Sequence, residues 1–366
     1  MSHRWQSLFA RILQVSIALL VACTASAQGS SPPVARGFSI ESSAPGMDEL
    51  IKSGTKLELL GDRYGLTEGP VWVDSDSGGY LLFADLISNV IYKWAPKEGT
   101  SVFLDKAGYS GDDIYSAGTQ TLRGRMHVLL IGPNGITLDR ERRVVWCASP
   151  DGKIMRLEKD GRRTVLAEKY QGKRFSGPND LVYRSDGRLY FTETIWGLRN
   201  ARGGHDGPAR ELPFTGIFMV NGADVALAMD EKAMGGQPNG LAFSPDEKYL
   251  YLNAGEKNIM RYDVRPDGSL ANARVFFPGE GSDGIKVDVK GNVYTTNGAG
   301  PGEVRITSPQ GVRLGVLKLP VLDREPQAQV CATNVAFGDR DSKGLYITAC
   351  EHVYRVQMQV AGIRPR

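Results

Sequence analysis

The stretch Ser176-Gly-Pro-Asn-Asp-Leu-Val-Tyr-Arg-Ser-Asp-Gly-Arg-Leu-Tyr-Phe-Thr-Glu193 decides how the chain is read. A polar lead, Pro178-Asn179-Asp180, is followed by residues alternating at strand period two, then by the turn Arg184–Arg188 and a second strand. Taken alone it is a β-hairpin behind a turn, with Asp-Gly supplying the backbone freedom that the connection requires.

The same grammar recurs in six segments. They are LTEGPVWVDSDSGGYLLFADLISNVIYKW, GPNGITLDRERRVVWCASPDGKIMRL, SGPNDLVYRSDGRLYFTETIWG, QPNGLAFSPDEKYLYLNAGEKNIMRYD, GSDGIKVDVKGNVYTTNGAGPGEVRI and ATNVAFGDRDSKGLYITACEHVYRV. Val71 and Val73, Ile136 and Leu138, Leu181 and Tyr183, Leu241 and Phe243, and Ile285 and Val287 all alternate at strand spacing. Repeats spaced by roughly 45 to 65 residues, each of three or four short strands, are the signature of a β-propeller with one repeat per blade. The fold class is therefore all-β, a six-bladed β-propeller. The segment Lys56–Asp62 (KLELLGD) precedes the first repeat and is expected to complete the last blade, which joins the ends of the ring and removes an open edge. The insertion Arg199–Phe214 is expected to leave blade three and rim a pocket.

Composition agrees with this class and excludes others. Of 366 residues, 41% are hydrophobic, enough for a core, and 44 Gly with 19 Pro describe a turn-rich globular chain. Arg4 and Arg11 precede an apolar run that ends at Thr24-Ala-Ser-Ala-Gln28, which reads as a signal peptide over residues 1–27 cleaved after Ala27. Leu20–Cys23 also fits a lipoprotein box, so lipidation at Cys23 is the alternative. Either way the expectation is export, to the periplasm or outside the cell, with no transmembrane span in the mature chain. Residues 28–50 read as a flexible lead-in, and the propeller is expected over 51–366. Loss of the leader lowers the formal charge from +3 to about +1 and leaves no basic block for nucleic acid. Cys331 and Cys350 are either a disulfide pair or buried apolar residues.

Propeller symmetry brings the six leading residues to one ring around the central channel: Glu68, Asn134, Asn179, Asn239, Asp283 and Asn334. Any one of these could be only a turn former, but six in register argue for a shared purpose. Carboxylate and amide oxygens without imidazole or thiolate suit a hard divalent cation, calcium first, with zinc, magnesium and manganese as alternatives. Motifs for serine hydrolases, zinc proteases, phosphate loops and dinucleotide sites are absent from the sequence.

At TEGPVW, GPNGITLD, LAEKYQGKRFSGPNDLVYRSDGRLYFTE, QPNGLAFSPDEKYLY, GSDGIKVDVKGNVY and ATNVAFG the chain resembles the gluconolactonase and regucalcin (senescence marker protein) family of six-bladed propellers. The resemblance runs from about Leu60 onward. It implies a metal held by Glu68, Asn179, Asn239 and Asp283, with Asp283 also the general base, and Asn134 and Asn334 as pocket neighbours. The implied activity is lactonase or carboxylic-ester hydrolase: a sugar lactone is opened as the metal polarises its carbonyl and Asp283 assists the attacking water. Two segments depart from the family pattern, Thr192-Glu-Thr-Ile-Trp-Gly197 and Cys147-Ala-Ser-Pro-Asp-Gly152, so Glu193 and Trp196 are taken as candidate substrate-pocket residues. Two alternatives stay open: a metal-dependent esterase or phosphotriesterase-like hydrolase, and a non-catalytic propeller that binds sugar or protein.

Overall fold

A computed structural model describes residues 37–114, 120–122, 126–197, 210–254, 257–279, 281, 283–298, 302–320 and 331–365, with backbone alone at 120–122 and 126–128. The signal peptide with Ala27 and Cys23, and most of the Arg199–Phe214 insertion, lie outside the described residues.

Six antiparallel sheets form the blades of a β-propeller. Blade one is Thr67–Val73, Tyr80–Asp85, Val90–Ala95 and Gly99–Leu104, and blade two is Ile136–Leu138, Val144–Ala148, Lys153–Leu157 and Arg163–Ala167. Blade three is Pro178–Tyr183, Leu189–Glu193, Gly216–Asn221 and Asp224–Asp230; blade four is Pro238–Phe243, Tyr249–Ala254, Asn258–Val264 and Leu270–Pro278. Blade five runs through Ile285–Val287, Val293–Thr296, Glu303–Thr307 and Arg313–Lys318.

Blade six takes Asn334–Gly338, Gly344–Ala349 and His352–Gln357 from the end of the chain and its outer strand, Leu57–Gly61, from the beginning, as the orphan KLELLGD segment predicts. Leu57 is fully buried in that closure, and burial of such a side chain stabilises by roughly 1.5–3 kcal/mol. The seam is reinforced where blade six meets blade one. Thr333 Oγ1 donates to Thr67 O at 2.7 Å, and Thr67 Oγ1 donates to Cys350 O at 2.8 Å. Cys350 is itself disulfide-bonded to Cys331, which decides between the two readings of that pair.

Ser39–Ser42, within the stretch read as lead-in, pairs with Arg313–Lys318 and adds a fifth strand to blade five. The neighbouring Phe38 and its Ile40 lie half-buried against the core that contains Leu317, which is what anchors so polar a strand.

The core lies between blades, because each sheet buries both faces against its neighbours. Val71 and Leu82 of blade one meet Ile136 and Trp146 of blade two in one cluster. Trp72 of blade one stacks on Tyr346 of blade six with ring centroids 5.1 Å apart. Among the described residues no helix is long and apolar enough to cross a membrane.

The inner strands line a channel whose walls include Val71, Ile136, Leu181, Leu241, Val287 and Phe337. At its end remote from the leading residues lies the C-terminal segment. Ile363 N donates to Val287 O at 3.0 Å, and Gly362 N donates to Ser342 O at 2.8 Å. Arg364 Nη1 donates to Asp74 Oδ1 at 2.6 Å, while Arg142 Nη1 donates to Pro365 O at 3.0 Å. The tail thereby ties together the ends of the inner strands of blades one, two, five and six.

Candidate functional site

Glu68, Asn179 and Asn239 are part of the inner strands rather than of turns before them, in Thr67–Val73, Pro178–Tyr183 and Pro238–Phe243. In these blades the strand register shifts just past that point, between Glu68 and Val71, Pro178 and Leu181, and Pro238 and Leu241. A bulge of this kind re-aims side chains without breaking the sheet, which frees the leading residue from the sheet's alternation. Blades two and five reach the same place by backbone pairing alone, Asn134 N donating to Cys147 O at 2.9 Å and Asp283 N to Thr296 O at 2.8 Å.

Blade-to-blade bonds then fix the ring. Gly135 N donates to Asn179 O at 2.8 Å, Gly240 N to Asp283 O at 2.9 Å, and Gly284 N to Thr333 O at 2.8 Å. Asn334 Nδ2 donates to Glu68 Oε2 at 3.1 Å, and Gly69 N donates to the same oxygen at 2.8 Å. Glu68, Asn134, Asn179, Asn239 and Asn334 are buried, whereas Asp283 keeps more contact with solvent.

Electrostatics marks Glu68 out. Burial pushes the Glu68 carboxyl well above the ordinary glutamate range, and the negative charges of Asp283 and Asp180 push in the same direction. The Gly69 amide and Asn334 only partly oppose this. A buried carboxylate held near another in this way favours a cation between them. A Cβ on Gly298, whose φ is +42°, would stand 2.6 Å from Asp283 Oδ2, so the backbone there packs directly against the carboxylate and only glycine fits. Among the described residues no three His, Cys, Asp or Glu side chains form a metal-ligand group. A cation on this ring would be held by two carboxylates and by amide oxygens, a donor set suited to a hard ion.

Glu193, expected at the pocket rim, is fully buried instead. Its carboxylate accepts from Ser176 N and, at 3.2 Å, from Gly177 N, the residues that lead into Asn179. Burial raises its pKa to about 8, against those two amides and the charge of Arg210. Asp85 does the same work in blade one, where it accepts from Gly65 N at 2.8 Å and Leu66 N at 3.1 Å, just ahead of Glu68. Each acid ends the second strand of its blade, FAD in one repeat and FTE in the other, and that shared position is the signal a comparison of repeats could have used. Trp196 is half-buried beyond the strand end, its amide donating to Thr194 Oγ1 at 3.2 Å, immediately before residues 198–209, which lie outside the described set.

A six-bladed propeller with an acid-and-amide ring at one mouth of its channel is the class that this fold and site define. The chain matches the sequence model described as the SMP-30/gluconolactonase/LRE-like region over residues 66–351. It is 30% identical over 334 residues to a gluconolactonase of Zymomonas mobilis, covering 87% of this chain and 86% of that one. A gluconolactonase structure from Xanthomonas campestris superposes with a TM-score of 0.72 at 26% identity, covering 90% of this chain and 98% of the other. A calcium-binding regucalcin from Agrobacterium tumefaciens, 18% identical, shares the fold with a TM-score of 0.60, over 84% of this chain and 95% of its own. The chain belongs to the SMP-30/gluconolactonase/LRE-like family.

Proposed function

We propose that this gluconolactonase-like hydrolase opens a sugar lactone with the help of a divalent cation, calcium first, held by Glu68, Asn179, Asn239 and Asp283. The observation that carries the reading is the convergence of Glu68 and Asp283 from different blades, close enough that the charge of one raises the pKa of the other. Bound there, the cation would supply Lewis-acid polarisation of the lactone carbonyl and stabilise the charge that develops on its oxygen.

The chain's own groups divide the remaining work. Asp283, the more accessible acid, takes a proton from the water that attacks the carbonyl carbon. As the ring C–O bond breaks, that proton passes to the departing alkoxide, and the product is the open hydroxy acid. A carboxylate is a modest base at neutral pH, sufficient for an activated ester and poor for an amide, which favours lactone over peptide as substrate. Asn334 orients Glu68 through its 3.1 Å bond, and Asn134 lines the same ring. The Cys331–Cys350 bridge supports work in an oxidising compartment, the periplasm or outside the cell.

A panel of aldonolactones followed by acid release, with and without EDTA and with Asp283→Asn, tests the proposal. Turnover that depends on both is expected; turnover that survives EDTA and the substitution together removes the mechanism.

A further inference from the structure

Cys331 stands three residues ahead of its blade's leading residue, Asn334, as Gly65 does before Glu68 and Ser176 before Asn179. In blades one and three an acid at the end of the second strand holds that position: Asp85 accepts from Gly65 N at 2.8 Å, and Glu193 accepts from Ser176 N. The pairings Glu68 with Ala84 and Asn334 with Thr348 make Ala349 the blade-six equivalent of Asp85. No carboxylate stands there, but the next residue is Cys350, which is bonded to Cys331.

The three residues that follow Cys331 each reach the ring. Ala332 O accepts from Gly298 N at 2.8 Å, and Gly298 is the residue whose backbone packs against the Asp283 carboxylate. Thr333 O accepts from Gly284 N at 2.8 Å, the amide next to Asp283. Asn334 Nδ2 is the donor to Glu68 Oε2. The other cysteine acts on Glu68 from a second direction. Cys350 O accepts from Thr67 N and from Thr67 Oγ1, both at 2.8 Å, one residue ahead of Glu68. Cys350 has a φ of +50°, a left-handed conformation that costs a residue with a side chain and persists where the surroundings impose it. Its bond to the buried Cys331 is such a constraint, and the turn it imposes is what aims the Cys350 carbonyl at Thr67.

We infer that the Cys331–Cys350 bridge is a positioning element of the site, doing by a covalent bond in blade six what Asp85 and Glu193 do by hydrogen bonds in blades one and three. Through Gly298, Asn334 and Thr67 it holds both Asp283 and Glu68, so its reduction weakens cation binding in a ring that is still folded. The inference rests on the metal reading above. In that reduction a dithiol passes two electrons and two protons to the two sulfurs and closes to its own disulfide, leaving Cys331 and Cys350 as thiols.

Calorimetric titration of calcium into the full chain, well below its melting transition, tests this with the oxidised protein, the dithiothreitol-reduced protein and the paired Cys331→Ala, Cys350→Ala protein. Far-UV circular dichroism of each reports the fold. The reduced and paired-alanine proteins are expected to keep the spectrum and to bind calcium about 10- to 100-fold more weakly, the usual cost of losing a group that orients a ligand. Excess calcium is expected to restore most of their turnover, which a merely stabilising bridge would not require. An affinity within about twofold of the oxidised value in a folded reduced protein overturns this inference alone. No calcium bound by the oxidised protein overturns the metal reading and this inference with it. Where the reduced chain loses its spectrum, Thr67→Val with the bridge intact decides: it removes the hydroxyl donor to Cys350 O, weaker calcium binding is expected, and unchanged affinity overturns the inference.

Discussion

Asn334 Nδ2 donates to Glu68 Oε2 at 3.1 Å, a bond between the last blade and the first that links ring closure to the geometry of the site. Asn334 is held for this by its own Oδ1, which accepts from Val335 N at 2.9 Å. Replacement by alanine leaves Glu68 Oε2 with only the Gly69 amide. Asn334→Ala is expected to keep the fold and weaken calcium binding by about 10- to 100-fold, the usual cost of losing a group that orients a ligand. Calorimetric titration checks it, and unchanged affinity would show that Glu68 needs no such support.

Asp283→Asn and Glu68→Gln should separate two roles. Loss of a general base lowers kcat by about 10²- to 10⁴-fold, and Asp283→Asn is expected in that range. Glu68→Gln removes a ligand charge without removing the base, so excess calcium is expected to restore much of its turnover but not that of Asp283→Asn. Equal behaviour of the two variants across a calcium series would merge the roles.

Glu193 gives the stability a pH dependence of definite sign. Its pKa, about 8 in the fold, lies above the ordinary value of 4.5, so the native state keeps a proton that the unfolded chain has released. Its contribution is fully present below about pH 4.5 and is lost as pH rises through 8. The neighbouring Cys147 thiol, also pushed up by burial, and the Arg210 charge are the other titratable groups close to it. Glu193→Gln is expected to flatten the fall in Tm between pH 5 and pH 9, a window chosen from that shift. A slope identical to wild type would assign the pH dependence elsewhere.

The Cys331–Cys350 bridge closes a loop with a sequence separation of 19 and sits at the seam between blades six and one. For a loop of this size the chain-entropy estimate is about 3 kcal/mol. The paired Cys331→Ala, Cys350→Ala protein is expected to melt several degrees lower in the absence of reductant, and dithiothreitol should bring the wild type toward the same value. A double variant as stable as the parent would show that the closing strand and Thr333 hold the seam unaided.

The blades were readable in the sequence because each repeats a short alternating strand and a turn, signals that are local and recur in register. The closing strand Leu57–Gly61 was readable for a different reason: closure leaves no place for an unpaired strand outside the ring. Ser39–Ser42 escaped because its sequence, Ser-Ile-Glu-Ser, is short and mostly exposed, and only pairing with Arg313–Lys318 makes it a strand. Of the site, the ring positions were legible from repeat alignment. The direction of Glu193 was not, since a strand-end acid can turn to either side and only the amides of Ser176 and Gly177 determine which. Lys286 Nζ stands 3.7 Å from Asp180 Oδ2, a pair that joins different blades across a third, a relation that no single repeat contains.

The C-terminal tail gives the channel a floor. Ile363, Arg364 and Pro365 line it and hold the strand ends of four blades together at the side remote from Glu68 and Asp283, so the last residues of the chain act as a strap across the base of the ring.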